Sequence, residues 1–272
     1  MKVLLIALTL TLPTFAEDPL AVELLSEKKV IAPGETFEVG LRLTPPDKAH
    51  TYWHHPGVVG LATSIQWDLP PGFRAGGIQW PMPEVVKMAH YTAQGYEGET
   101  LLMVAITPPE SLADEAVQLT ARASWMCCGE QCSPASNVPF SITLPVADES
   151  VPDEKSGRLF EKYHEQVPQP MPLWAIELTR ERKTITLTLR SRDSEKTRPV
   201  SDLGHLRFFT SDGQVDSNEP QHVVIGPGEI LTLTLSASDL AVKQPEITGV
   251  IVAEKSWTRA AGPRGMTVAA SQ

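Results

Sequence analysis

Apolar and polar positions alternate with a period of two along much of the chain. Residues 36–43 show this pattern, and residues 64–69 place Ile65, Trp67 and Leu69 on one face. Such alternation predicts half-buried β-strands. Proline and glycine separate these segments at roughly ten-residue spacing, which is typical of a β-sandwich. The other strands predicted in the first half of the chain are residues 101–107, 117–125 and 138–144.

The character of the sequence changes between residues 147 and 171, which we interpret as a linker. Residues 148–154 are charged, and residues 156–166 predict a short helix with Leu159, Phe160 and Tyr163 on one side. A second strand-rich block follows, with clean alternation at residues 184–189 and 231–235. Its predicted strands are residues 184–190, 206–210, 222–225, 230–235 and 249–253.

The pattern therefore predicts an all-β protein with two β-sandwich domains joined by a linker that holds a short helix. The predicted domains are residues 20–146 and 172–258. Residues 259–272 are rich in glycine, alanine and proline, and we expect a flexible tail there.

The net charge excludes some classes of partner, and the first residues indicate the cellular compartment. Lys and Arg number 23 against 33 Asp and Glu, a net charge of −10, which disfavours a nucleic-acid partner and docking on anionic lipid. A lysine, an apolar run over residues 3–12 and a small-residue site ending at Ala16 predict a secretory signal peptide over residues 1–16. Later apolar runs are shorter than the ~18 residues of a membrane span, so we expect a soluble, exported chain without direct membrane insertion.

Three cysteines lie within six positions, at Cys127, Cys128 and Cys132. Adjacent cysteines rarely bridge each other because the ring strains the peptide bond. The open pairings are therefore Cys128 with Cys132 and Cys127 with Cys132. A bridge from Cys128 to Cys132 closes a very short loop and removes little entropy from the unfolded chain. We interpret the three cysteines as a chemically reactive cluster. The alternative is a structural disulfide that closes the hairpin, with Cys127 as a small buried apolar side chain.

Metal binding is a second interpretation of the cysteine and histidine clusters. The cysteines lack a fourth zinc ligand at the usual spacing, since the nearest histidines are His90 and His164. Copper is suggested by His50, His54 and His55 together with scattered methionines. On a strand, His54 and His55 point to opposite faces, which favours packing over a shared site. We therefore predict neither a metal nor a cofactor.

Several motifs together resemble the periplasmic N-terminal region of the DsbD and ScsB thiol:disulfide interchange proteins. They are residues 52–57 (Tyr-Trp-His-His-Pro-Gly), 63–73, 78–81, 95–99 and the spacing Trp125-x-x-Cys128-x-x-x-Cys132. Residues 208–213 and 220–221 look like the second periplasmic module of ScsB-type chains. The resemblance covers nearly all of the chain that follows the predicted signal peptide.

This resemblance implies immunoglobulin-like sandwiches and a redox-active disulfide between Cys128 and Cys132. By position, Cys132 matches the attacking cysteine and Cys128 its resolving partner. Family members shield the pair with a cap loop, for which residues 83–96 are the candidate here, with Tyr91 and Tyr96 as candidate shielding residues. Cys127 departs from the family pattern, and we expect it to be buried on the face opposite Cys128.

The function implied is periplasmic thiol–disulfide exchange. A separate membrane thiol reductase would supply electrons, and periplasmic thioredoxin-like or disulfide isomerase proteins would accept them, including reductants of cytochrome c maturation. The sequence shows neither a transmembrane block nor a thioredoxin-like Cys-x-x-Cys domain. We therefore expect a stand-alone component of a protein-disulfide reductase system. The alternatives are a non-enzymatic binding module with a structural disulfide and a copper-binding stress protein.

Overall fold

The computed structural model describes residues 20–271, so the predicted signal peptide lies outside the described residues. The part before residue 150 is built almost entirely of strands. These are β1 (Ala21–Ser26), β2 (Lys28–Val30), β3 (Phe37–Thr44), β4 (His50–Gly57), β5 (Ser64–Asp68), β6 (Arg74–Gln79), β7 (Glu84–Met88), β8 (Tyr91–Glu97), β9 (Thr100–Thr107), β10 (Ala116–Cys128) and β11 (Cys132–Pro145).

Two antiparallel sheets face each other in this first sandwich. One has the strand order β1-β3-β9-β6, and the other has the order β11-β10-β4-β8-β7, with β5 also paired to β10. Alternating side chains from both sheets fill the space between them, as expected for packed antiparallel sheets. The core includes Val39 and Val104 from the first sheet and Leu119 and Leu144 from the second.

The linker packs on the first sandwich. Its short strand β12 (Val151–Pro152) pairs with β2, and α1 (Glu154–His164) follows. Asp153 is the N-cap of this helix. Its carboxylate accepts hydrogen bonds from the backbone N–H groups of Lys155 and Ser156, a favourable capping arrangement. Phe160 and Tyr163 are buried against Leu101 and Met103 of β9. The amphipathic pattern read from the sequence thus buries its apolar side against the first sheet.

The second half of the chain forms another sandwich. Its elements are β13 (Trp174–Glu181), β14 (Thr184–Ser191), a 3-10 turn (Val200–Asp202), β15 (Leu206–Thr210), β16 (His222–Gly226), β17 (Ile230–Ser236), β18 (Glu246–Ala253) and β19 (Gly265–Ser271). One sheet has the order β13-β14-β17-β16 and the other has the order β15-β18-β19. Their core holds Trp174 and Trp257 in an edge-to-face pair, with ring centroids 5.3 Å apart. The prediction of an all-β, immunoglobulin-like fold is confirmed.

The prediction of a flexible tail over residues 259–272 was wrong. Residues 265–271 form β19, which pairs with β18 along its whole length. Met266, Val268 and Ala270 are buried in the second sandwich and alternate with exposed residues. The small-residue composition hid this alternation, because alanine and glycine contribute little to a hydrophobic pattern yet fit closely between packed sheets.

Candidate functional site: a disulfide beneath a hairpin

A disulfide joins Cys128 at the end of β10 to Cys132 at the start of β11. Its S–S length is 2.03 Å, and the two Cα atoms are 4.0 Å apart. The two cysteines are register partners in the long β10–β11 ladder, so three residues span the loop between them. The N–H of Gly129 donates to the carbonyl of Gln131 at 3.0 Å and closes this loop. The ladder therefore holds both cysteines at the tip of a hairpin.

The two cysteines differ sharply in their access to solvent. Cys128 is 1% exposed, whereas Cys132, the first residue of β11, is exposed. An incoming thiol or disulfide can therefore approach Cys132 while Cys128 stays shielded.

Apolar side chains from three strands surround Cys128. Tyr52 of β4, Val86 of β7 and Ala93 of β8 form one buried cluster with it. Val86 and Ala93 are register partners in the β7–β8 hairpin. This hairpin, residues 84–97, therefore packs directly against the buried half of the disulfide.

A row of uncharged polar side chains links β4 to the β7–β8 hairpin. The register places His50 opposite Cys128, and His50 Nε2 lies 3.2 Å from the Tyr52 hydroxyl. That hydroxyl donates to Met88 Sδ at 3.4 Å, near the tip of the β7–β8 hairpin. Burial lowers the pKa of His50 against the opposing effect of Glu97, while burial and Cys127 raise the pKa of Tyr52. Both groups therefore stay uncharged near neutral pH and add no charge beside Cys128.

The two tyrosines predicted to shield the disulfide lie at different places. Tyr91 follows the hairpin turn and is 39% exposed, stacked beside His90 at 4.1 Å between ring centroids. Tyr96 is buried on the other face of β8, where it packs with Trp53 and with residues of the second sandwich. The structure therefore does not bring Tyr96 to Cys128.

The candidate cap, residues 83–96, includes Val86 and Ala93, but sequence reasoning singled out its tyrosines and did not name the residues that pack on Cys128. Tyr52 lies within the histidine-rich stretch that was considered as a copper site, and its role beside Cys128 was not recognised. Its position two residues after His50 puts both side chains on one face of β4, a signal that period-two alternation could have supplied.

Cys127 is buried, as predicted, at 6% exposure. It lines a cavity of about 250 Å³ together with Pro46, Ala49 and Trp125. Since neighbouring strand residues point to opposite faces, Cys127 and Cys128 face different surroundings.

The three candidate copper ligands lie in different environments. His50 lies in the disulfide region, and the ring of His54 packs at a tilt against Trp53 with centroids 3.9 Å apart. Nδ1 of His55 accepts a hydrogen bond from the N–H of Gly57 at 3.2 Å. Among residues 20–271, no three histidine, cysteine, aspartate or glutamate side chains are grouped closely enough to hold a metal ion.

The fold and the site define a class of protein: an immunoglobulin-like sandwich that carries a half-buried disulfide at a hairpin tip. Residues 21–141 match the family described as thiol:disulfide interchange protein DsbD, N-terminal. This part of the chain is therefore similar to DsbD N-terminal domains, and the resemblance recognised from the sequence is confirmed.

Solved structures extend the fold comparison to the second sandwich. The N-terminal periplasmic domain of ScsB from Proteus mirabilis aligns with a TM-score of 0.64 at 16% identity, covering 96% of this chain and 97% of that one. A cohesin module from a Clostridium perfringens family 33 glycoside hydrolase covers 48% of this chain and 100% of its own, at 12% identity and a TM-score of 0.29. No curated protein matches the chain. None of the helices within residues 20–271 has the length and apolar character needed to cross a bilayer.

Proposed function

We propose that the chain is a periplasmic thiol–disulfide exchange protein that works through Cys128 and Cys132. The observation that carries this proposal is the unequal burial of the two cysteines in a domain similar to DsbD N-terminal domains. A purely structural staple has no need of one exposed and one shielded sulfur, whereas exchange needs both an accessible attacking cysteine and a protected resolving one.

The proposed reaction transfers two electrons to a partner disulfide. The Cys132 thiolate attacks one sulfur of the partner, whose disulfide breaks as a mixed disulfide forms and the partner's second sulfur leaves as a thiolate. Cys128 then loses its proton to solvent and attacks the Cys132 sulfur, which releases the partner's first sulfur as a thiolate. The chain ends oxidised at Cys128–Cys132, and the partner ends as a dithiol.

The proposed partners follow from this direction of flow. A separate membrane thiol reductase would return the chain to its dithiol form. Periplasmic thioredoxin-like or disulfide isomerase proteins would accept the electrons. The ScsB domain that aligns with this chain is periplasmic, and this supports the proposed location together with the signal peptide predicted from the sequence.

A trapping experiment tests the assignment of roles. Reduced Cys128→Ser should attack an oxidised thioredoxin-like domain through Cys132 and stop at a stable mixed disulfide, seen as a band that reductant removes on a non-reducing gel. Cys132→Ser is the matched control and should form at least tenfold less adduct, because its remaining thiol of the pair is buried. Equal trapping by both variants, or by neither, would contradict the proposal.

A further inference from the structure

The two faces of β8 contact different parts of the protein. Ala93 points to the cluster around Cys128, whereas Thr92, Gln94 and Tyr96 belong to the contact with the second sandwich. This division follows from the alternation of side chains along a strand. One strand therefore separates the buried half of the disulfide from the second sandwich.

Gln94 makes the most specific contact of this kind. Its Oε1 accepts from the N–H of Thr210 at 2.8 Å, and its Nε2 donates to the carbonyl of Thr210 at 2.9 Å. The same Nε2 donates to the carbonyl of His55 at 2.6 Å. Gln94 is 3% exposed and Thr210 is 1% exposed. The amide thus pairs with the edge of β15 as a neighbouring strand would, and joins β4, β8 and β15 at one point.

A second contact holds the strand nearer to the hairpin turn. The N–H of Thr92 donates to Asn218 Oδ1 at 2.8 Å, and the hydroxyl of Ser217 donates to the carbonyl of Thr92 at 2.9 Å. Ser217 also accepts from the N–H of Val58 at 3.1 Å. A Cβ atom at Gly57 would lie 2.2 Å from Ser217 Oγ, so glycine is needed for this close approach. The backbone of β8 is therefore held from the side opposite the disulfide.

Apolar packing completes the contact. Trp53 and Tyr96 of the first sandwich form a buried cluster with Phe209 and Val250 of the second. The hydroxyl of Tyr96 donates to the carbonyl of Pro81 at 2.8 Å. The β7–β8 hairpin lies at the edge of its sheet, with β4 as its neighbour on one side only. An edge hairpin with such external contacts moves less freely than one held by its own ladder alone.

From these contacts we propose that the second sandwich holds the β7–β8 hairpin closed over Cys128, with Gln94 as the positioning residue. The proposal rests on the function proposed above and assigns a role to the cysteine-free second sandwich. Opening the hairpin would lift Val86 and Ala93 from Cys128, so the strength of this contact sets how readily the resolving cysteine becomes accessible.

Two variants of the full chain test the proposal. Gln94→Met keeps the length of the side chain and removes its hydrogen bonds to Thr210 and His55. Asn218→Ala removes one hydrogen bond to Thr92 at an exposed position and should fold normally. Leu178→Ala is the control, because it weakens the core of the second sandwich outside the contacts with β8.

The main measurement is the rate at which iodoacetamide alkylates each cysteine of the reduced proteins, mapped by mass spectrometry. Gln94→Met should raise alkylation of Cys128 about tenfold, the factor that corresponds to losing ~1.4 kcal/mol of hydrogen bonding. Asn218→Ala should raise it about two- to threefold. Cys132 should react at the wild-type rate in every variant. Leu178→Ala should leave Cys128 protected, even if this control variant melts at a temperature as low as that of Gln94→Met.

Alkylation of Cys128 at the wild-type rate in both contact variants would overturn the proposal, and so would an equal increase in Leu178→Ala. Failure of the proposed function has a different signature. In that case neither cysteine variant traps a partner, whereas the alkylation rates still report whether the second sandwich holds the hairpin.

Discussion

Acid should weaken the folded protein through His54. The ring of His54 packs at a tilt against Trp53 and lies 5.7 Å from the ring of Trp80, beside the contact between the sandwiches. Burial, aided by repulsion from His55, lowers the pKa of His54 from 6.5 to about 4. Protonation would place a positive charge on this buried ring, which has no opposite charge to compensate for its lost hydration.

The sign and size of the effect follow from linkage. The unfolded chain binds a proton near pH 6.5, whereas the folded chain resists protonation until about pH 4. The contribution of neutral His54 to the free energy of unfolding is fully present above pH 6.5 and is lost as the pH falls toward 4. The difference of 2.5 pKa units corresponds to about 3 kcal/mol at ~1.4 kcal/mol per unit. Partial contact of the ring with water reduces the expected loss to about 1–2 kcal/mol.

Urea unfolding of oxidised wild type and His54→Gln between pH 7.5 and 4.5 measures this loss. Wild type should lose about 1–2 kcal/mol more than His54→Gln over that range. Carboxyl groups that titrate there, such as Glu84 with its pKa raised by burial, contribute equally to both proteins and cancel. His90→Gln, at the exposed hairpin turn, is the control and should follow wild type. Identical pH profiles for wild type and His54→Gln would refute the argument.

Three further substitutions test other parts of the structure. Tyr52→Phe removes the hydroxyl between His50 and Met88 and should lower the free energy of unfolding by about 1 kcal/mol in urea titrations; no change would show that this polar chain is not stabilising. Met266→Ala should cost about 2–5 kcal/mol by the same measurement if β19 is part of the core, and almost nothing if residues 259–272 were a loose tail. Asp153→Ala removes the cap of α1 and should lower stability by ~1 kcal/mol, with Asp153→Asn as the variant expected to retain most of it.

Local pattern predicted much of the sandwich architecture. Residues 184–190 and 230–235 were predicted as strands from their clean alternation, and the structure places β14 and β17 there. The helix was predicted within two residues of α1, because its apolar side is clear. These features depend on neighbours close in sequence, so the sequence carries them directly.

The remaining features depend on which strands become neighbours in space. The cover over Cys128 comes from β4, β7 and β8, and no spacing in the sequence indicates that Val86 and Ala93 meet there. Gln94 looks like an ordinary polar strand residue until the edge of β15 lies against it. Tyr96 was considered for the disulfide because the family resemblance implies a cap over residues 83–96, but its side of β8 depends on pairing that is distant in sequence.

The central claim is that Cys128 and Cys132 form an exchangeable redox pair. A titration of the mature protein in glutathione and dithiothreitol buffers tests it most directly, with acid quenching, alkylation and assignment of each cysteine by mass spectrometry. The account predicts a reversible Cys128–Cys132 couple at roughly −180 to −270 mV, within the range of known exchange proteins. A bridge that resists reduction below about −300 mV would mark a structural disulfide and contradict the account.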